Sequence, residues 1–320
     1  MQQLNFIHLV PAPAAKLQFS PICTRLLTGG LTMKFIDDTY IRETIYKRKE
    51  DAHKGDFGKV LIYAGSPGMA GAAILCGTAA LRTGSGLVRF LITPERKEIQ
   101  PILQTGLCEA TCINAERVNF ADYEAIAIGC GLSESDEAAL TMAAILTSYS
   151  GVLVLDADAL NLLAHREELS SLLPACRATV ILTPHVGEAK RLLHTEEEIK
   201  TLSQRQEAVC ALAEKYHCIA ILKGAGTLVT DAAEVYENTT GNPGMATGGS
   251  GDVLTGIIAS LAGQGYQPLD AARMGVFIHG KAGDLASQEL GEMSVIARDI
   301  IRKVPDALKQ YYQFTCTITY

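Results

Sequence analysis

The run Val60-Leu-Ile-Tyr-Ala-Gly-Ser-Pro-Gly-Met-Ala-Gly71 continues into Ala72-Ala-Ile-Leu-Cys-Gly-Thr-Ala-Ala-Leu81 and contains one complete strand–turn–helix unit. Val60–Tyr63 is continuously apolar rather than alternating, the pattern of a strand buried on both faces. Ala64–Gly71 reads as a glycine-rich turn and Ala72–Leu81 as a helix of small residues. The pattern recurs downstream. Leu87–Ile92, Ala125–Ile128, Val152–Leu155, Thr179–Leu182, Cys218–Leu222 and Thr227–Thr230 read as strands, and Ser135–Thr147, Ser203–Tyr216 and Asp252–Ala262 as helices. This alternation predicts an α/β fold with a mainly parallel central sheet, with a local hairpin around Gly224–Gly226. Ligands of such sheets bind at the carboxyl ends of the strands. Here strand after strand ends in Gly, Asp, His or Lys.

Composition narrows the function class. The net charge of −7 and the absence of tryptophan argue against a nucleic-acid partner, which would call for a basic surface or aromatic platforms. No apolar stretch approaches the roughly 18–20 residues that cross a membrane. The nine cysteines are scattered and form no zinc set, so they read as reduced thiols of a cytoplasmic protein. Residues 1–32 stand apart. Met1–Leu31 has Lys16 and Arg25, no acidic residue and the Pro11–Ala15 run. It reads as an extension, either non-native or poorly ordered before Met33, or a transit peptide. Residues 33–320 read as a single domain.

Five segments carry chemistry. The strongest is Gly241-Asn-Pro-Gly-Met-Ala-Thr-Gly-Gly-Ser-Gly-Asp252 followed by Val-Leu-Thr-Gly256. Val253, Leu254, Ile257, Ile258 and Leu261 follow helical spacing, so Gly248, Gly249, Ser250 and Gly251 lie where a loop enters a helix. Free N–H groups and the helix dipole make that junction an anion hole, and glycine admits a phosphate without Cβ collision. Asp252 then faces the reacting group as a candidate base. A mere helix cap would not need three glycines around it. No Lys-Ser/Thr follows them, so the loop is not a Walker A motif. In Ile221-Leu-Lys223-Gly-Ala-Gly-Thr227, a Lys and glycines at a strand end suit a nucleotide's phosphates or adenosine; the alternative is an ordinary hairpin with an exposed Lys. In Thr183-Pro-His-Val-Gly-Glu188, Pro184 fixes the loop and places His185 at the carboxyl edge of the sheet, and Glu188 either caps the next helix or acts through water or Mg²⁺. Gly65-Ser-Pro-Gly-Met-Ala-Gly71 has GxxGxxG spacing, not the dinucleotide fingerprint. Asp156 and Asp158 either orient Mg²⁺ through water or cap a helix.

These runs, with His53-Lys-Gly-Asp-Phe-Gly58 and Gly71-Ala-Ala73, resemble the NAD(P)H-hydrate dehydratase family across nearly all of the chain after Met33. The Gly241–Gly256 run is the most specific. The resemblance implies a ribokinase-like three-layer α/β/α sandwich and an ADP-dependent (S)-NAD(P)H-hydrate dehydratase, a lyase that repairs hydrated NADH and NADPH. It implies Asp252 as catalytic base; Ala72, Gly131, His185 and Asp252 at the hydrated cofactor; and Lys223, Gly224, Ala225, Gly226, Thr227 and Gly251 at the adenine nucleotide. ADP or ATP would be co-substrate, with Mg²⁺ but no protein ligand set for it. The family often forms tetramers, which implies a homo-oligomer. The chain is shorter than members with an added epimerase domain, which implies a separate NAD(P)H-hydrate epimerase acting on the same metabolite. Val186 replaces a frequent proline and Cys130 separates Gly129 from Gly131; neither removes a functional side chain. The competing reading is a small-alcohol kinase of the same fold.

Overall fold

The structure is a computed structural model that describes residues 33–312. The expected extension over residues 1–32 lies outside the described residues. The strands are β1 (Lys34–Ile36), β2 (Lys59–Tyr63), β3 (Leu87–Ile92), β4 (Thr111–Asn114), β5 (Ala125–Ile128), β6 (Val152–Leu155), β7 (Thr179–Leu182), β8 (Ile219–Leu222), β9 (Leu228–Thr230) and β10 (Val235–Asn238). The α-helices are α1 (Asp38–Thr44), α2 (Ala70–Thr83), α3 (Gln100–Gly106), α4 (Asp136–Ser148), α5 (Asp158–His165), α6 (Glu167–Ser170), α7 (Val186–Leu193), α8 (Leu202–Tyr216), α9 (Ser250–Gly263), α10 (Pro268–Leu290) and α11 (Ala297–Tyr312).

One sheet holds all ten strands in the order β1-β10-β9-β8-β7-β6-β5-β2-β3-β4. β8, β9 and β10 pair antiparallel, and every other neighbouring pair is parallel. Period-two alternation divides each central strand between two cores. Val60, Ile62, Ala127 and Val154 join Ala73, Val253, Phe277 and Ile300 of α2, α9, α10 and α11. Leu61, Tyr63, Ile128 and Leu155 join Met142, Leu163, Leu192 and Leu212 of α4, α5, α7 and α8. The result is the expected three-layer sandwich. The chain runs β2-β3-β4 in one direction and β5-β6-β7-β8 in the other, so the order reverses between β2 and β5. A crevice at the carboxyl ends of those two strands is the favoured ligand site of such a sheet.

Every strand expected from an apolar run is present, with ends shifted by a residue at most. The structure adds β1, β4, β10, α10 and α11. β1 and β4 are the sheet edges, short and half-exposed, so their apolar signal is weak. α11 contains Pro305, ordinarily a sign that a helix has ended. Its buried residues Ile300, Ile301, Val304, Ala307, Leu308 and Tyr311 nevertheless keep helical spacing.

α2 and α9 pack backbone against backbone. A Cβ on Gly256 would stand 2.1 Å from the Cys76 carbonyl oxygen and 2.9 Å from Ala79 Cβ. Neither backbone can yield without moving a core helix. Gly256→Val is therefore expected to cost about 2 kcal/mol or more, read as a lowered urea midpoint with an unchanged slope.

Candidate active site

Asp252 is placed by the burial of its own helix. Val253, Leu254, Ile257, Ile258 and Leu261 are all nearly inaccessible, so the register of α9 is fixed. The chain enters α9 through Gly249, at φ +88°, where a Cβ would stand 2.5 Å from Leu75 Cδ1. The first turn then turns the Asp252 carboxylate toward Cys130 and Asp156, whose acceptor atoms lie with its own within 4.8 Å of one another.

Asp156 follows β6 and is 1% exposed. Its Oδ1 accepts from Lys223 Nζ at 2.7 Å and its Oδ2 from the Thr255 hydroxyl at 2.8 Å. Burial alone would raise its pKa, but the Lys223 charge and these hydrogen bonds hold it below the usual carboxylate value. Lys223, after β8, is desolvated as well. The charges of Asp156 and Glu188, the latter 3.8 Å away, outweigh that burial and raise its pKa, so it stays an ammonium. Among the described residues, Asp252 has no comparable partner. Burial first, then the Asp156 charge, pushes it up to about 7, partly offset by the Cys130 thiol and Lys223. A carboxylate titrating there suits general-base work at neutral pH. Gly251 lies in the same cluster, where a Cβ would be 3.3 Å from Lys223 Nζ and 3.4 Å from Asp156 Oδ2.

Ala72 and Gly131 meet at the β2/β5 switch point. Gly131, at φ +59°, would put a Cβ 3.0 Å from that of Ala72. Their loops are tied together: Gly65 N–H donates to the Cys130 carbonyl at 2.9 Å, and the Ser66 hydroxyl to the Gly131 carbonyl at 2.9 Å. Arg96, 1% exposed, donates to the Gly65 carbonyl at 3.0 Å and to the Leu132 carbonyl, and pairs with Glu137. His185 caps α7. Its Nδ1 accepts from Gly187 N–H at 2.9 Å and Glu188 N–H at 3.2 Å, while Glu188 Oε2 accepts from His185 N–H at 2.8 Å. Glu188 is thus the helix cap of the two readings its sequence left open.

A cavity of about 810 Å³ counts His185, Lys223, Gly224, Ala225, Gly226, Thr227, Ser250 and Gly251 among its lining residues. Gly224 (φ +146°) and Gly226 (φ +59°) turn the loop, and Arg205 of α8 holds it by donating to the Ala225 and Gly226 carbonyls. Lys223 is no exposed hairpin residue: its side chain is 19% exposed. Ala72, Gly131, Asp252, Gly248 and Gly249 do not line this cavity; Gly251 and Lys223 connect it to the Asp252 cluster. The Ser250 N–H already donates to the Thr247 carbonyl at 3.3 Å, which leaves Gly251 and Asp252 as the first-turn amides for an anion. A Cβ on Gly248 would meet nothing within 4 Å, so packing does not require a glycine there.

The Cys130–Asp156–Asp252 cluster does not fit Mg²⁺. That ion takes oxygen ligands, whereas one donor is a thiol and both Asp156 oxygens are engaged. Asp158 accepts from Ser133 N–H at 2.8 Å. Sequence reasoning missed Arg96, Arg205 and Thr255, which act on loops or on Asp156 rather than facing a ligand. It also missed His279, whose pKa burial lowers to about 4 and whose Nε2 is 3.3 Å from the Ser250 hydroxyl.

The profile of a family described as NAD(P)H-hydrate dehydratase matches residues 60–306. The chain belongs to that family. It is 36% identical over 304 residues to a bifunctional NAD(P)H-hydrate repair enzyme Nnr of Moorella thermoacetica, covering 91% of this chain and 57% of that protein. It is 39% identical over 247 residues to an ADP-dependent (S)-NAD(P)H-hydrate dehydratase of Neisseria meningitidis, covering 76% of this chain and 82% of that one. A crystal structure of an ADP/ATP-dependent NAD(P)H-hydrate dehydratase from Bacillus subtilis, co-crystallised with ATP and Mg²⁺, superposes with a TM-score of 0.76 at 29% identity. That match covers 87% of this chain and 99% of the other. The chain spans about half the length of the bifunctional curated relatives it matches. Among the described residues of this NAD(P)H-hydrate dehydratase family member, no helix is long and apolar enough to cross a membrane.

The raised Asp252 pKa has a consequence for stability. Unfolded, the group ionises near 3.8; folded, near 7. Below the lower value both states are protonated. Between the two, only the unfolded chain loses the proton, so stability falls as pH rises from about 4 to 7 and is then level. Asp252→Asn is expected to match the parent at pH 4 and exceed it at pH 8 by on the order of 2–4 kcal/mol, measured by denaturant unfolding at both pH values.

Proposed function

We propose that the protein is an ADP-dependent (S)-NAD(P)H-hydrate dehydratase. The observation that carries this reading is Asp252, a carboxylate raised to about 7, on the first turn of a glycine-entered helix and beside a buried ammonium. The hydrated nicotinamide ring lies over Ala72 and Gly131 with its hydroxyl toward Asp252. The adenine nucleotide occupies the 810 Å³ cavity, with its phosphates at Lys223 and the amides of Gly251 and Asp252. His185, on the cavity wall, lies between the two ligands. Residues 224–227 hold the adenosine side by backbone and hydroxyl contacts.

Asp252 takes the proton of the ring hydroxyl. The oxygen attacks the terminal phosphorus, and the bond from phosphorus to the bridging oxygen breaks. Lys223 and the helix amides stabilise the charge on the transferring group. The ring C–O bond then breaks with loss of a proton from the neighbouring carbon, releasing phosphate and restoring the dihydronicotinamide. The products are NAD(P)H, phosphate and AMP. Magnesium would accompany the nucleotide phosphates and neutralise part of their charge, since among the described residues the candidate ligand cluster does not suit it. The relatives' names support the assignment, and the Neisseria name favours ADP over ATP.

The test is recovery of reduced-nicotinamide absorbance from hydrated NADH with ADP and with ATP. Faster recovery with ADP, together with free phosphate, is expected; a phosphorylated product that persists would replace this reading with a small-alcohol kinase. Asp252→Asn is expected to lower kcat by about 10²–10⁴-fold while nucleotide still binds. kcat should fall below a pH near 7 as Asp252 protonates. Asp156→Asn removes a negative neighbour and frees Lys223, both of which favour the Asp252 anion. It should move that acid limb to lower pH.

A further inference from the structure

A second cavity, of about 520 Å³, adjoins His185 between α5 and α7. It is lined by His165, Gly187, Lys190, Arg191 and His194, with Glu196 as its acidic residue. Lys190 and Arg191 outnumber Glu196 here, in a chain of net charge −7. Arg191 is held by two hydrogen bonds. Nε and Nη2 both donate to Asn161 Oδ1, at 3.1 and 2.9 Å. A neutral amide therefore orients the guanidinium, and among the described residues no carboxylate pairs with it. Lys190 donates to the Glu196 carbonyl at 3.1 Å, and the Glu196 carboxylate, 3.9 Å away, is fully exposed.

The cavity is connected to the active site at two points. A Cβ on Gly187 would lie 2.9 Å from His185 Cε1 and 3.9 Å from Arg191 Nη1, so only a glycine's width separates the imidazole from the guanidinium. On the other side, Asn161 Nδ2 lies 3.5 Å from Asp158 Oδ1, and Asp158 Oδ2 accepts from Ser133 N–H at 2.8 Å. Ser133 belongs to the loop that contains Gly131 and has φ +70°. The loop proposed to carry the nicotinamide ring and the Arg191 guanidinium are thus joined by one polar chain.

We infer that this cavity binds a phosphate group of the hydrated dinucleotide, with Arg191 as its ligand and Asn161 as the positioning residue. The inference rests on the proposed function. The co-substrate nucleotide fills the larger cavity, and a ring over Gly131 must carry its own ribose phosphates away from Asp252. The smaller cationic cavity next to His185 is the charge-matched destination. A guanidinium fork suits phosphate oxygens geometrically as well as electrostatically. Two phosphates qualify: the pyrophosphate common to both hydrates, and the additional ribose phosphate of hydrated NADPH.

Arg191→Gln and Asn161→Ala are assayed with each hydrate at low and moderate salt. Equilibrium binding of each hydrate is measured in parallel on Asp252→Asn protein, with and without Arg191→Gln. A KM raised about tenfold by Arg191→Gln, with kcat within about twofold, marks lost uniform binding. An effect on both hydrates identifies the pyrophosphate; an effect on hydrated NADPH alone identifies the ribose phosphate. The parent's KM should rise with salt and that of Arg191→Gln should rise less, which a merely structural role would not produce. Asn161→Ala should show a smaller rise in KM. Unchanged KM and unchanged binding of both hydrates overturn the inference while parental repair leaves the proposed function standing. If the parent repairs neither hydrate but Arg191→Gln still weakens their binding, the proposed chemistry fails and this site stands. If neither repair nor weakened binding is seen, both are overturned.

Discussion

A buried carboxylate, Asp156, holds its charge because an ammonium from two strands away reaches it. β6 delivers Asp156, β8 delivers Lys223, and α9 delivers Thr255 to the remaining oxygen. An unpaired charge at that depth would cost several kcal/mol, so the pair constrains all three elements at once. It couples the sheet register to the position of α9, and α9 carries Asp252. The same pair sets the electrostatics of the proposed base: after burial, Asp156 raises Asp252, and Lys223 limits how far. Removing either partner alone would leave the other charge buried and unpaired, the costly case for such a pair.

Rigid support surrounds this cluster. Glycine contacts bring α9 against α2 at Gly256 and against Leu75 at Gly249. Arg96 pins the Gly65 and Leu132 loops from below, and Arg205 pins the Lys223–Thr227 loop from outside. Each uses a guanidinium to satisfy backbone carbonyls at turns, where no strand partner is available. Groups held this way need no reorganisation when charge develops on a transferring phosphoryl group, and that is where such a site gains rate. Part of the cost is borne by the resting protein, since Asp252 is kept where its ionised form is disfavoured.

The parts of this architecture that were legible in the sequence are those with a strong local signal. Seven apolar runs read as strands because both faces are covered, and each is a strand. Asp252 stood out because glycines, an acidic residue and a helical apolar stripe occur together there. The edge strands β1 and β4 lacked that signal because solvent takes the place of one neighbour. α11 was concealed by Pro305, an interior break that the surrounding tertiary burial tolerates. Asp156 was visible as a polar residue at a strand end, but its partner is 67 residues away, and no local pattern encodes a contact of that range.

Ala72 and Gly131 mark the limit of such reading. Neither has reactive side-chain chemistry, and a small residue in a turn is ordinary. Their significance is positional: strand order reverses between β2 and β5, and the loops leaving those two strands must diverge there. Local physics identified a base and an anion site, which is enough for phosphoryl transfer to some hydroxyl. In the proposed reading, what separates a nicotinamide ring from another alcohol is the position of Ala72 and Gly131, where a Cβ on Gly131 would crowd Met69 and Ala72. A site recognised by what it omits is read from topology or from likeness to a family before it is read from composition.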